Sequence, residues 1–218
     1  MLSRPLFLAF LCAAAVQAHP QIDVLYATDP STSMLRSTGY IRGYEGHIDV
    51  LETYHLMDPN VTTALCMDTQ QTPTYSSMYP MLTAKPGDNI TATYLENGHV
   101  TADVLAPDER PHPGNYSWLW GGAPNLELTN VAQMFDVNNL LAGPFNFDDG
   151  KCAVAAGNEF GGDRVASPCV STFYLPDDLE TGIYNIVWAW HFPKIPPCTA
   201  GAPVEFYTSC ADIYVDAS

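Results

Sequence analysis

Positive charge is scarce in this sequence. Its 218 residues carry 8 Lys+Arg against 24 Asp+Glu, a formal net charge of −16. A surface this acidic repels phosphate backbones and anionic lipid headgroups, so neither nucleic acid nor a membrane surface is expected as a partner. A neutral polymer such as a glycan is permitted by the charge without being indicated. After the first 16 residues there is no apolar run of spanning length, so no membrane span is expected. Internal repeats, low-complexity tails and linkers to a second module are also lacking, and the roughly 200 residues beyond the leader suit one domain with a substantial core.

Proline, glycine and tyrosine are plentiful, at 18, 15 and 12 residues, a profile that suits a loop-rich all-β domain. Residues 1–4 form a short positive stretch, residues 5–16 an apolar one, and Val16-Gln17-Ala18 places small or aliphatic side chains at the two positions a signal peptidase reads. Cleavage after Ala18 is therefore expected, with 1–18 as signal peptide and 19–218 as one secreted domain. The mature balance becomes 7 Lys+Arg against 24 Asp+Glu, or −17, once Arg4 leaves. Cys12 leaves too, so Cys66, Cys152, Cys169, Cys198 and Cys210 remain, an odd number for an oxidising compartment. Three sequons, at Asn60, Asn89 and Asn115, agree with secretion.

Along the chain, 21–27 reads as a first strand with Ile22, Val24 and Tyr26 on one face, and 30–54 as a long irregular loop containing Gly39-Tyr40-Ile41-Arg42-Gly43-Tyr44. Lys85-Pro86-Gly87-Asp88 is a turn signal ahead of a strand at 90–95, and Asn97-Gly98 is a hairpin or bulge signal ahead of a second run at 99–105. Residues 116–120 form an aromatic strand, 126–141 a helix or two short turns, and 145–162 an Asp/Gly-rich loop. Three β-rich runs at 170–175, 182–192 and 204–215 close the chain, and together these segments predict an all-β, immunoglobulin/fibronectin-like sandwich with long loops.

A mature N-terminal His19 would offer its α-amino group and its imidazole Nδ1 to one metal ion. His99 is presented by the Asn97-Gly98 turn, whereas His47, His55 and His112 have no context that sets them apart from ordinary surface or core histidines. His191 follows Trp188-Ala189-Trp190 at an expected strand end. Glu205 and Tyr207, two apart on one strand, share a face, with Cys210 on the other.

These residues resemble the fungal lytic polysaccharide monooxygenases, copper enzymes with an N-terminal histidine brace. His19 matches the mature N-terminal histidine, His99 in Glu96-Asn97-Gly98-His99-Val100 the second brace histidine, and Tyr207 the axial tyrosine of a polar-x-Tyr-x-x-Cys strand. Glu205 stands where the cellulose-active family carries glutamine; it is the expected catalytic second-sphere group. The strand at 182–190 is similar to the Trp-x-Trp strand of the chitin-active family. A set of secreted fungal proteins without an assigned activity shares the Gly-Tyr-x-Arg-Gly-Tyr piece, the Glu-Asn-Gly-His-Val-Thr turn and the Tyr-Thr-x-Cys strand, over most of 19–215. The resemblance implies copper as cofactor, a polysaccharide substrate, an external electron donor and a monomer. Copper binding without catalysis, and a wall-associated interaction protein using the tyrosine-rich loop, are the alternative functions. Tyr40, Tyr44, Tyr75 and Tyr79 are scattered candidates for a stacking surface. Cys66 with Cys210 and Cys152 with Cys169 are the favoured disulfides, leaving Cys198 over; Cys198 with Cys210 is a competing pairing.

Overall fold

Strand-forming segments in this chain are short and are separated by turns that need special backbone geometry. The computed structural model describes residues 21–46, 54–101, 113–153, 163–192 and 205–218. Within them the strands are β1 (Ile22–Thr28), β2 (Leu35–Gly39), β3 (Tyr54–Met57), β4 (Leu82–Ala84), β5 (Asn89–Tyr94), β6 (Asn115–Trp120), β7 (Leu140–Asn146), β8 (Cys169–Tyr174), β9 (Gly182–Phe192) and β10 (Glu205–Val215). Helical structure in the described residues is limited to 3-10 turns at Asp68–Gln70, Val131–Phe135 and Val137–Asn139, and no helix there is long and apolar enough to cross a membrane.

The strands form two sheets, ordered β2-β1-β5-β8 and β3-β10-β9-β6-β7, with β4 running parallel to the far end of β10. The chain is an all-β, immunoglobulin-like sandwich with long loops. Strict alternation in β5 sends Ile90, Ala92 and Tyr94 into the space between the sheets, where they meet Trp118, Trp188, Trp190 and Phe147. β9 and β10 are buried over nearly their whole length because the larger sheet is covered twice. Its inner face packs on β1 and β5, while its outer face carries Leu119, Val187, Ala189 and Cys210 against Leu65, Cys66 and Leu128. Cys66–Cys210 ties that outer layer to β10, and Cys152–Cys169 joins the 148–153 loop to β8. Both favoured disulfides are present; Cys198 lies outside the described residues.

One edge of β10 is shared. β3 pairs with its first four residues and β4 with Ile213–Val215. The gap between them is filled by the Gly-Tyr-x-Arg-Gly-Tyr segment, through an Ile41–Ala211 bridge and a hydrogen bond from the Arg42 amide to the Cys210 carbonyl. Arg42, almost wholly buried, donates to both carboxylate oxygens of Asp212 and to Glu127. Burial opposes its charge, but these hydrogen bonds outweigh it and hold the guanidinium pKa above its ordinary value.

Several expectations are corrected. The long loop expected at 30–54 is interrupted by β2, which folds back on β1 because the Asp29 carboxylate accepts the amides of Ser31 and Thr32 and Arg36 bridges Asp29 to Asp88. The expected faces of β1 are exchanged. A register shift between Ile22 and Val24 puts Leu25 and Ala27 into the core together with Ile22. No hairpin follows β5, since β1 and β8 occupy both its edges; 97–101 is a turn, and 102–105 lies outside the described residues. Between 126 and 141 the two short turns form rather than a helix, and β7 begins at Leu140, inside a stretch with no strand pattern.

Candidate functional site

At one end of the sandwich β1 begins, β5 ends, β9 ends and β10 begins. Register alone places three rings in a row across the larger sheet, because Tyr207 on β10 lies opposite His55 on β3 and opposite Trp190 on β9. The His55 ring stacks on Tyr207 with centroids 4.5 Å apart and planes 2° from parallel. Trp190 covers the phenol as well, at 4.8 Å and 27°. Tyr207 is thus clamped between an imidazole and an indole. The indole is itself fixed by its Nε1 donating to the Pro113 carbonyl and by stacking on Phe147 at 3.9 Å.

His99 reaches the same place from the other sheet. Its ring meets Phe192 edge-on at 4.5 Å and Trp190 at 5.0 Å, with the Tyr207 centroid 6.1 Å away, and it is only 6% exposed. The turn that carries it needs left-handed backbone at Asn97 (φ 44°) and Gly98 (φ 88°), which asparagine and glycine adopt most readily. Glu205 is buried one alternation step from Tyr207, opposite Phe192, with Oε1 3.9 Å from His55 Nε2. The beginning of β1 is drawn in beside them: Ile22 pairs with Tyr94, its amide donates to Ser209 Oγ at 3.3 Å, and Gln21 is fully buried.

Of the residues singled out in the sequence, His99, Tyr207 and Glu205 therefore come together. His19 lies outside the described residues. His191 points away, exposed on the outer face, where it stacks on Phe206. The residue that sequence reasoning passed over is His55. A signal for it existed: if Cys66 bonds Cys210, the chain just before Cys66 must run close to the strand that carries Tyr207. Three of the four candidate tyrosines also gather, with Tyr40, Tyr44 and Tyr79 at 4.9–5.1 Å from one another, whereas Tyr75 is bonded to Asp212.

The donor set at this end, imidazole nitrogen with phenol and carboxylate oxygen, fits a borderline transition metal such as copper better than a hard cation. It is incomplete within the described residues, where the group of three His/Cys/Asp/Glu ligands with converging atoms is Asp149, Cys152 and Cys169. That group is no metal site: the cysteines are joined to each other, and Asp149 accepts the amides of Lys151, Cys152 and Val170.

A family model described as a domain of unknown function, DUF7492, matches residues 16–218. No curated protein matches the chain. Among solved structures, it is similar to a protein named CvAA9A (13% identity, TM-score 0.43, 92% of this chain and 79% of that one). It is also similar to a cellulose-active polysaccharide monooxygenase from M. thermophila (18%, 0.41, 92% and 79%) and to the extended catalytic domain of H. jecorina LPMO9A (15%, 0.40, 92% and 75%). At these scores the likeness carries no argument about activity.

Proposed function

We propose that this chain, which belongs to the DUF7492 family, is a secreted copper protein in which His19, freed by cleavage after Ala18, would hold the metal together with His99 and Tyr207 as a histidine brace, and that it oxidatively cleaves polysaccharide. The observation that carries the reading is the convergence of His99, Tyr207 and Glu205, from two different sheets, at the end where β1 begins. His19 is three residues before Ile22, and a chain spans at most about 3.6 Å per residue, so its amino group lies within roughly 11 Å of Ile22. Two imidazoles and an amine with a phenol oxygen are donors that suit copper, and copper bound there would supply one-electron chemistry toward oxygen or peroxide. Tyr207 is held by the His55 and Trp190 rings, which fix the direction of its hydroxyl. The Glu205 carboxylate, with His55 Nε2 3.9 Å from its Oε1 and so beyond direct hydrogen-bond reach, would hold a proton beside the metal. The remaining parts of the reading are a polysaccharide substrate, an external electron donor and a monomeric chain.

Copper binding without turnover is the second reading, favoured by Glu205 itself, since the cellulose-active family carries glutamine there. The test uses the chain secreted from a eukaryotic host. N-terminal sequencing should begin at His19, metal analysis should give one copper per chain, and reductant with peroxide should release oxidised oligosaccharides from a cell-wall polysaccharide. A different N-terminus or no copper sinks both readings; copper without product on cellulose, chitin, starch and pectin leaves the second.

A further inference from the structure

The backbone that carries His99 has no sheet pairing of its own. β5 stops pairing at Tyr94, and residues 95–101 lie beyond the ladder. Among the described residues, the Glu96 side chain ties this backbone together. Glu96 is 1% exposed. Its carboxylate accepts the Val100 amide at 2.7 Å, the Thr101 amide at 3.2 Å and the Thr101 hydroxyl, while its own carbonyl accepts the His99 amide at 2.9 Å. A buried carboxylate is costly unless its lone pairs are filled, and here they are filled by the two amides that follow His99. The six residues from Glu96 to Thr101 are thereby tied end to end, with Asn97 and Gly98 turning the chain and His99 projecting from the middle. Phe192 and Trp190 then limit the ring itself.

We propose that Glu96 is a positioning residue for the metal site: its carboxylate holds the 97–101 turn and so sets where the His99 imidazole stands. This rests on the brace reading above. Glu96, Asn97, Gly98, His99 and Thr101 would then form one unit, each supplying a carboxylate, a left-handed step, a ligand or a closing hydroxyl.

The test has a metal-free arm and a copper arm. In the metal-free chain, Glu96→Ala should abolish slow amide exchange at Val100 and Thr101. Glu96→Gln, whose oxygen can accept both amides and whose amide group can donate to the Thr101 hydroxyl, should restore it. In the copper arm, Glu96→Ala should weaken Cu(II) about 10-fold or more and alter its electron paramagnetic resonance spectrum, as outer-sphere changes do at metal sites. Glu96→Gln should return both toward wild type. If Glu96→Ala does not fold, Glu96→Asp, shortened by one methylene, should show the same loss in smaller degree. A wild type that binds copper beside a Glu96→Ala or Glu96→Asp chain of equal affinity and spectrum overturns this assignment alone. A wild type that takes no copper overturns the brace reading and this assignment with it.

Discussion

Replacing Arg42 with methionine should destabilise the fold far more than loss of a surface ion pair. The guanidinium is 1% exposed and Asp212 is fully buried, whereas Glu127, its other carboxylate partner, is about one-third exposed and can turn to water. Asp212 cannot. In Arg42→Met it keeps only the Tyr75 hydroxyl at 2.9 Å as a side-chain partner among those described, and that phenol stays protonated because burial, reinforced by the Asp212 charge, pushes its pKa up. A buried charge deprived of its partner costs about 3–5 kcal/mol. For a chain of this length that corresponds to a fall in Tm of roughly 6–20 °C. Thermal denaturation followed by circular dichroism measures it. The double variant Arg42→Met, Asp212→Asn, which removes the stranded charge, should recover much of the loss. A single-variant loss below about 1 kcal/mol, the range of exposed pairs, would refute the claim that the Arg42–Asp212 pair anchors the 40–46 segment to β10.

Removing the Cys66–Cys210 bridge by Cys66→Ala, Cys210→Ala frees a loop with a sequence separation of 144 residues, for which chain entropy predicts a loss of about 5 kcal/mol in chemical denaturation. Cys152→Ala, Cys169→Ala, with a separation of 17, should cost about 3 kcal/mol, and the reverse order would contradict the entropic account. In chain secreted from a eukaryotic host, peptide mapping should find glycan at the exposed Asn60 and Asn115. Copper should be held at pH 7 and released on dialysis at about pH 4, because imidazole and amine ligands bind only when unprotonated and protons compete increasingly as pH falls. Retention at pH 4 would argue against a nitrogen-donor site.

How far the sequence could be read depended on where each strand finds its partner. β5 shows clean alternation because one of its faces is buried, and β9 and β10 stand out as long β-rich runs because both faces of their sheet are covered. β2 is an edge strand whose first residues, Leu35 and Arg36, are exposed, so no pattern marks it; capping by Asp29 and the Arg36 ion pairs fold it back. In β1 one shifted residue near Ile22 was enough to invert the faces that a strict period of two predicts.

The site divides in the same way. His99 could be recognised because its signal is local, an Asn-Gly turn immediately before it, and Tyr207 because Glu205 and Cys210 lie within three residues of it. His55 sits on a four-residue strand whose partner lies some 150 residues downstream, and no local spacing announces that pairing. Yet His55 makes the flattest ring contact with Tyr207, and its Nε2 lies 3.9 Å from the Glu205 carboxylate. What the strands bring together is therefore a Tyr207 gripped on both sides and a carboxylate–imidazole pair beside it. If the site serves turnover with His55 in it, His55→Ala should lower the rate while copper still binds; an unchanged rate would leave His55 only a packing neighbour of Tyr207. The pairing of β3 with β10 makes that distinction measurable, and the order of residues along the chain does not reveal it.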